Sequence, residues 1–258
     1  MNLAGRKAVV TGGGRGIGAA VARALAAEGA AVLVAARSTA EVEGVAAELR
    51  AAGHEAWAES CDVTDPAAVA GLARAAGERM GAVDILVNNA GIANSAPLKA
   101  ITLELWNRTF AVNATGTFLC TQAFTPGMVQ RGWGRVVNVA SIAGRTGAAY
   151  IATYAASKHA VLGFTRSVAA ELAPSGVTVN AVCPGYVDTD MTRGSVERIV
   201  EKTGRPAEKV LEAIRHTSPQ NRLLDAAEVA YLVVCLCDPR AGGINGQAIV
   251  QDGGSLLA

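Results

Sequence analysis

The sequence predicts one doubly wound α/β layer, a sheet of seven mostly parallel strands with helices on both faces. Three observations carry this. Short apolar runs recur along the chain, and segments rich in alanine, leucine and glutamate, long enough for three-turn helices, lie between them. Several runs are apolar throughout rather than alternating, as suits central strands covered from both sides. A glycine cluster follows the first run directly.

Taken in order, "KAVVT" opens the sheet and "GGGRGIGAA" turns it into a helix over Ile17 to Glu28. "AAVLVAA" is the second strand, followed by a helix from Ala40 to Ala52, and "AWAESCDV" is the third, followed by a helix from Pro66 to Met80. "DILVNN" is the fourth. "FAVNATGTF" then crowds Asn, Thr, Gly and Thr into the middle of an otherwise good helix, which predicts a kink that frees backbone carbonyls. "GRVVNVAS" and "GVTVNAVCP" are the fifth and sixth strands, flanking the helix "TYAASKHAVLGFTRSVAAEL". Arg193 to His216 reads as two short amphipathic helices, an insertion suited to a lid over about residues 188–218. "GQAIVQDGG" is the seventh strand. Crossovers are expected to be right-handed. No repeat, low-complexity tract or linker marks a second domain, so residues 1–258 are expected to form one domain.

Composition narrows the function classes. At 258 residues with 51% hydrophobic content and 17% charge, the chain fits a single α/β unit with a large core. A formal net charge of +1 supplies no field for nucleic acid or an anionic membrane. The run Ala230 to Cys237 is far too short to cross a bilayer. The first strand begins near Arg6, which leaves no room for a signal peptide ahead of it, and a cytoplasmic protein is expected. Cys61, Cys120, Cys183, Cys235 and Cys237 are odd in number and lack a CxxC pair, so they are read as buried small hydrophobes. His54, His159 and His216 lack ligand spacing, so no metal is expected. There is no GxSxG, so Ser141 is not read as a hydrolase nucleophile.

The glycine cluster sits after a strand and at the head of a helix, where backbone can approach a pyrophosphate and free N–H groups favour it. Its frame is open: Gly12, Gly16 and Gly18 fit GxxxGxG, while Gly14, Gly16 and Ala19 fit GxGxxA. Dinucleotide sites usually place an acid about 20 residues on, against the ribose 2′-hydroxyl. Here the second strand ends in Ala36 and Arg37. That removes the acceptor and offers a cation to a 2′-phosphate, which favours NADP(H) with NAD(H) still possible. Arg15 would be a second cation, with Ser38 and Thr39 as hydrogen-bond donors.

Tyr154 and Lys158 stand at i and i+4, so on a helix they share a face about one turn apart. Such a pair could be surface decoration. The alternative is that the ammonium lowers the phenol pKa toward neutrality so that it transfers protons. Ser141 closes the fifth strand, at the carboxyl edge where ligands gather in doubly wound sheets, and its hydroxyl could hold a carbonyl.

These residues together resemble the short-chain dehydrogenase/reductase family over essentially the whole chain. "TGGGRGIG", with Gly12, Arg15, Gly16, Ile17 and Gly18, is similar to its cofactor loop. "CDVTD" is similar to its adenine contact at Asp62 and Val63, and "NNAG", including Asn89, Ala90 and Gly91, to its motif after the fourth strand. "PGYVDT", with Pro184, Gly185, Val187 and Thr189, resembles its nicotinamide-side loop. Ala140 departs from the serine or glycine that many members carry at that place.

The resemblance implies a Rossmann-type strand order 3-2-1-4-5-6-7 and a tetrad of Asn113, Ser141, Tyr154 and Lys158. In that reading Tyr154 is the general acid and Ser141 orients the carbonyl. Lys158 binds ribose hydroxyls and lowers the tyrosine pKa, and Asn113 anchors a proton-relay water. A homotetramer is implied too, packed through the helices around Asn113 and Tyr154. The whole-length pattern is similar to 3-oxoacyl-thioester reductases, with Asn94, Arg145, Tyr150, Tyr186 and Met191 as candidate substrate-side positions. The alternatives are an alcohol or hydroxyacyl dehydrogenase working oxidatively with NAD, and a non-catalytic NADP-sensing regulator.

Overall fold

Val9 and Val10 are adjacent in sequence but pack into different cores, because successive strand side chains point to opposite faces. The same alternation separates Leu33 from Val34 and Leu86 from Val87. A strand buried on both faces must be apolar at every position, which explains the unbroken apolar runs. The structure is a computed structural model and describes residues 1–256.

The strands are β1 (Lys7–Thr11), β2 (Ala31–Ala36), β3 (Ala56–Ser60), β4 (Ile85–Asn88), β5 (Gly134–Val139), β6 (Val177–Pro184) and β7 (Ala248–Gln251). They form one sheet in the order β3-β2-β1-β4-β5-β6-β7, and every neighbouring pair is parallel. The expected Rossmann-type order is therefore present. Helices α1 (Gly16–Ala27), α2 (Thr39–Ala51) and α9 (Ala226–Cys237) build the core on one face. Helices α3 (Pro66–Met80), α5 (Gly116–Gln130) and the end of α6 (Ala152–Leu172) build the core on the other.

Local chemistry sets the element ends. Ser38 accepts from the Glu41 amide at 3.3 Å to cap α2. Asp65 caps α3 ahead of Pro66, and Asp225 with Glu228 forms a capping box at α9. The third strand is shorter than the run "AWAESCDV" suggested. Asp62 accepts from the Thr64 amide at 3.0 Å and its hydroxyl at 2.8 Å, and this side-chain turn ends the extended chain.

The helix irregularity expected in "FAVNATGTF" takes the form of a π turn. Helix α4 (Leu103–Phe110) passes into α5 through a wide π-helical turn, Ala111–Thr115. The charged stretch after β6 forms two helices, α7 (Asp190–Thr203) and α8 (Ala207–Arg215). Among the described residues, no helix is long and apolar enough to cross a membrane, and no His, Cys, Asp or Glu cluster could hold a metal. Cys61, Cys120, Cys183 and Cys237 are buried and Cys235 is half-buried. Burial pushes the Cys61 thiol to about 11 and those of Cys120 and Cys237 to about 12, which suits inert packing groups.

Candidate active site

The sheet order reverses between β1 and β4, so their carboxyl ends open a crevice. Two glycines shape its floor. Gly12 has φ +63°, and a Cβ there would stand 2.9 Å from the Ala90 Cα. A Cβ on Gly18 would collide with the Gly12 carbonyl and the Asn89 side chain. A Cβ on Gly14 would also crowd Glu41, at 2.7 Å, so the turn is tight at Gly12, Gly14 and Gly18. Asn89 Nδ2 donates to the carbonyls of Thr11 and Gly12 at 3.1 and 3.0 Å. The Thr11 hydroxyl accepts from the amides of Asn89 and Ala90 at 3.1 and 3.2 Å. These bonds lock the glycine turn to the segment after β4.

Helix α1 starts at Gly16 with no side chain capping it and no acid in its first turn. Its first amides are left facing the crevice end, so the turn and helix head fit a pyrophosphate. The crevice is a cleft of about 600 Å³. Of the anticipated residues, Gly12, Arg15, Gly16, Ile17, Arg37, Ser38, Asp62, Val63, Asn89, Ala90, Gly91, Asn94, Thr189 and Met191 line it.

The remaining anticipated positions stand elsewhere. Gly18 is buried beneath the turn, so it shapes the floor without lining it. Pro184 ends β6, and Gly185 donates to the Gln251 carbonyl at 2.9 Å against Asp252. Val187 is 4% exposed, and its carbonyl accepts from the Thr192 hydroxyl at 2.6 Å, which holds the start of α7. These residues support the wall from behind.

The cleft also contains residues that the sequence reading missed. Glu41 stands 3.7 Å from Arg15, and Asp190 stands 4.0 Å from it, so Arg15 already has acidic neighbours. Leu105, Arg108 and Val112 line the opposite wall at i, i+3 and i+7. That helical spacing just ahead of Asn113 was a usable signal. Arg198 of α7 is the other missed cation. Asp62 is held below its ordinary pKa, chiefly by the Thr64 amide and with help from Arg37.

The four tetrad positions converge beside this cleft. Lys158 is 5% exposed and its Nζ donates to the Val139 carbonyl at 2.8 Å. It stands 5.7 Å from the Tyr154 ring centroid and 3.7 Å from where a Gly91 Cβ would be. Gly91 lines the cleft, so it links lysine and cleft. The Ser141 hydroxyl accepts from the Ala143 amide at 3.1 Å, which caps a short turn, and it lies close enough to the Tyr154 phenol to lower its pKa.

Asn113 is 1% exposed and points inward from the π turn. Its Oδ1 accepts from the Ile92 amide at 2.8 Å, and its Nδ2 donates to the Ile92 carbonyl at 3.0 Å and the Ser157 hydroxyl at 2.9 Å. Asn113 therefore ties the segment after β4 to α6.

The expected acidification of Tyr154 is not what the fold alone produces. Burial pushes its pKa up, and Ser141 opposes this only in part. Burial also pushes Lys158 down to about 8, which weakens the charge that was expected to act on the phenol. As folded, the site makes the phenol a weaker acid than a free tyrosine.

Among the substrate-side candidates, Asn94 and Met191 line the cleft, with Asn94 Nδ2 donating to the Thr109 hydroxyl at 3.1 Å. Tyr186 is 43% exposed and close enough to Tyr154 to raise its pKa. Tyr150 is 65% exposed at φ +70° and does not line the cleft. Arg145 is outside the cleft lining, and it donates to the Ala248 carbonyl at 3.0 Å, on the open edge of β7.

Comparison with known proteins agrees with this geometry. The family model described as short chain dehydrogenase matches residues 6–199. A 3-oxoacyl-[acyl-carrier-protein] reductase of Synechocystis is 40% identical over 99% of this chain and 98% of its own. The D-beta-hydroxybutyrate dehydrogenase of Cupriavidus necator is 36% identical over 98% of both. A solved structure of a single-residue variant of actinorhodin polyketide ketoreductase with NADPH superposes at TM-score 0.95, with 39% identity and 98% of both chains covered. The chain belongs to the short-chain dehydrogenase family and is an oxidoreductase that passes hydride between a nicotinamide cofactor and a carbonyl or secondary alcohol.

Proposed function

We propose that the protein reduces the ketone of a 3-oxoacyl thioester or a closely related ketone, with NADP(H) as its preferred cofactor. The observation that carries this reading is the gathering of Tyr154, Lys158 and Ser141 beside a cleft with a phosphate cradle. A phenol there can give its proton to a carbonyl oxygen.

A nicotinamide bound in this cleft would supply the hydride for the carbonyl carbon. Tyr154 gives its hydroxyl proton to the carbonyl oxygen, and Ser141 orients that oxygen by a hydrogen bond. Lys158, tied to the end of β5 by its bond to the Val139 carbonyl, would hold the ribose hydroxyls. Asn113 keeps the segment around Gly91 and Ile92 in place, and the π turn it sits in supports a water for proton resupply. Gly12 and Gly16 with the head of α1 would hold the pyrophosphate over the floor that Gly18 leaves open, and Arg37 with Ser38 would meet a 2′-phosphate. Helices α7 and α8 act as the lid over the substrate end.

A homotetramer of one-domain subunits in the cytoplasm completes the reading. Phe118 of α5, 42% exposed and edge-on to Phe164 of α6 at 6.2 Å, offers an apolar face for a second copy. The test is a panel of 3-oxoacyl thioesters and simple ketones, run with NADPH and NADH on the wild type and Tyr154→Phe. The variant is expected to bind NADPH normally and lose turnover by about 10²–10⁴-fold. Full activity in Tyr154→Phe removes the proposed proton donor.

A further inference from the structure

Four arginines line the cleft, and they are not alike. Arg15 has Glu41 and Asp190 beside it, and Arg37 acts on Asp62. Arg108 of α4 and Arg198 of α7 have no carboxylate within 4.0 Å among the described residues. Asp190, which also lines the cleft, stands beside Arg15 and is bonded to Arg193 at 2.8 Å.

Both Arg108 and Arg198 line the cleft together with Asn94, and the elements that carry them bond to the Asn94–Ser95 segment. Asn94 is hydrogen-bonded to Thr109, the neighbour of Arg108. On the other wall, Lys202 donates to the Ser95 carbonyl at 3.2 Å, and Arg198 lies one helical turn before Lys202 on the same face. The Arg198 guanidinium is partly used, since Nη2 donates to the Ser195 hydroxyl at 2.8 Å. Its Nε is buried and has no acceptor. Leaving a buried guanidinium nitrogen unmet costs stability, and a carboxylate or phosphate presents the acceptor geometry that a guanidinium fork takes.

We propose that Arg108 and Arg198 form an anion-recognition point for the substrate, so the preferred substrate carries a phosphate or carboxylate apart from its reacting carbonyl. This rests on the ketone-reductase reading above and narrows its substrate class. Hydride and proton transfer to a carbonyl need neither cation, so a neutral ketone would leave both arginines unused. A phosphate on the carrier of an acyl thioester and the carboxylate of an oxo acid share the chemistry the pair requires.

The experiment compares kcat/KM for three substrates with NADPH: 3-oxobutyryl-CoA, the neutral 3-oxobutyryl N-acetylcysteamine thioester, and a 3-oxo acid. Wild type is expected to prefer a charged substrate over the neutral thioester. The preferred arm identifies the source, the CoA thioester for phosphate and the oxo acid for carboxylate. In Arg108→Gln and Arg198→Gln the charged-to-neutral ratio is expected to fall about tenfold each, while the NADPH Kd holds. Arg205→Gln, between α7 and α8 and outside the cleft lining, serves as the control and leaves the ratio in place. An unchanged ratio, or a loss of NADPH affinity in its stead, overturns the proposal while turnover of the neutral thioester leaves the ketone-reductase reading standing. No turnover of any ketone overturns both.

Discussion

Replacing Gly12 by alanine separates two costs that glycine avoids, backbone strain and close approach. Gly12 and Gly53 both have positive φ, +63° and +86°, but a Cβ on Gly53 meets nothing within 4 Å. At Gly53 only the left-handed conformation is penalised, about 1–2 kcal/mol for a residue with a Cβ. At Gly12 the same strain is joined by contacts of 2.9 Å with the Ala90 Cα and Asn89 Nδ2. Moving Asn89 breaks its bonds to Thr11 and Gly12, each contributing about 1 kcal/mol.

The expected loss is therefore about 3–4 kcal/mol for Gly12→Ala and about 1–2 kcal/mol for Gly53→Ala. For a domain of this size that corresponds to a Tm drop on the order of 10 °C against about 4 °C. Thermal melts without cofactor measure it. NADPH titration supplies a second readout, because the displaced turn is the phosphate cradle, and only Gly12→Ala is expected to weaken binding. Equal melting of the two variants with unchanged NADPH affinity would show that this turn is neither tight nor part of the cofactor site.

Two further outcomes follow from the charges. Burial lowers Lys158 from 10.5 to about 8, so between those values the unfolded chain binds more protons than the folded one and stability rises with pH. Below about pH 8 the buried ammonium costs about 3 kcal/mol. Lys158→Met is expected to flatten the rise in denaturation midpoint between pH 8 and pH 10, and a slope equal to wild type refutes the lowered pKa. Arg37→Asp exchanges a cation for an acceptor at the end of β2, so the NADPH-to-NADH ratio of kcat/KM should drop by about 100-fold or more. An unchanged ratio removes Arg37 from the 2′-phosphate site.

Much of the fold was legible because burial on both faces imposes itself on every residue of a central strand. The runs at β1, β2, β4, β5 and β6 announced the sheet, and the cluster of helix-weakening residues around Asn113 announced the π turn. Tyr154 and Lys158 were readable as a pair because they are one turn apart on a single helix. The family resemblance supplied the strand order, and the structure bears it out.

Local spacing alone, then, determines the elements, the glycine turn and the tyrosine–lysine pair, since these depend on neighbours within about four residues. The tertiary structure decided what depends on distant partners. Asn113 meets Ser157 across 44 residues, Arg145 reaches the β7 edge across 103, and Arg108 and Arg198 come to one cleft from separate helices. It also decided that the Tyr154 pKa is raised, because desolvation depends on everything packed around a group and leaves no mark in the spacing of its neighbours.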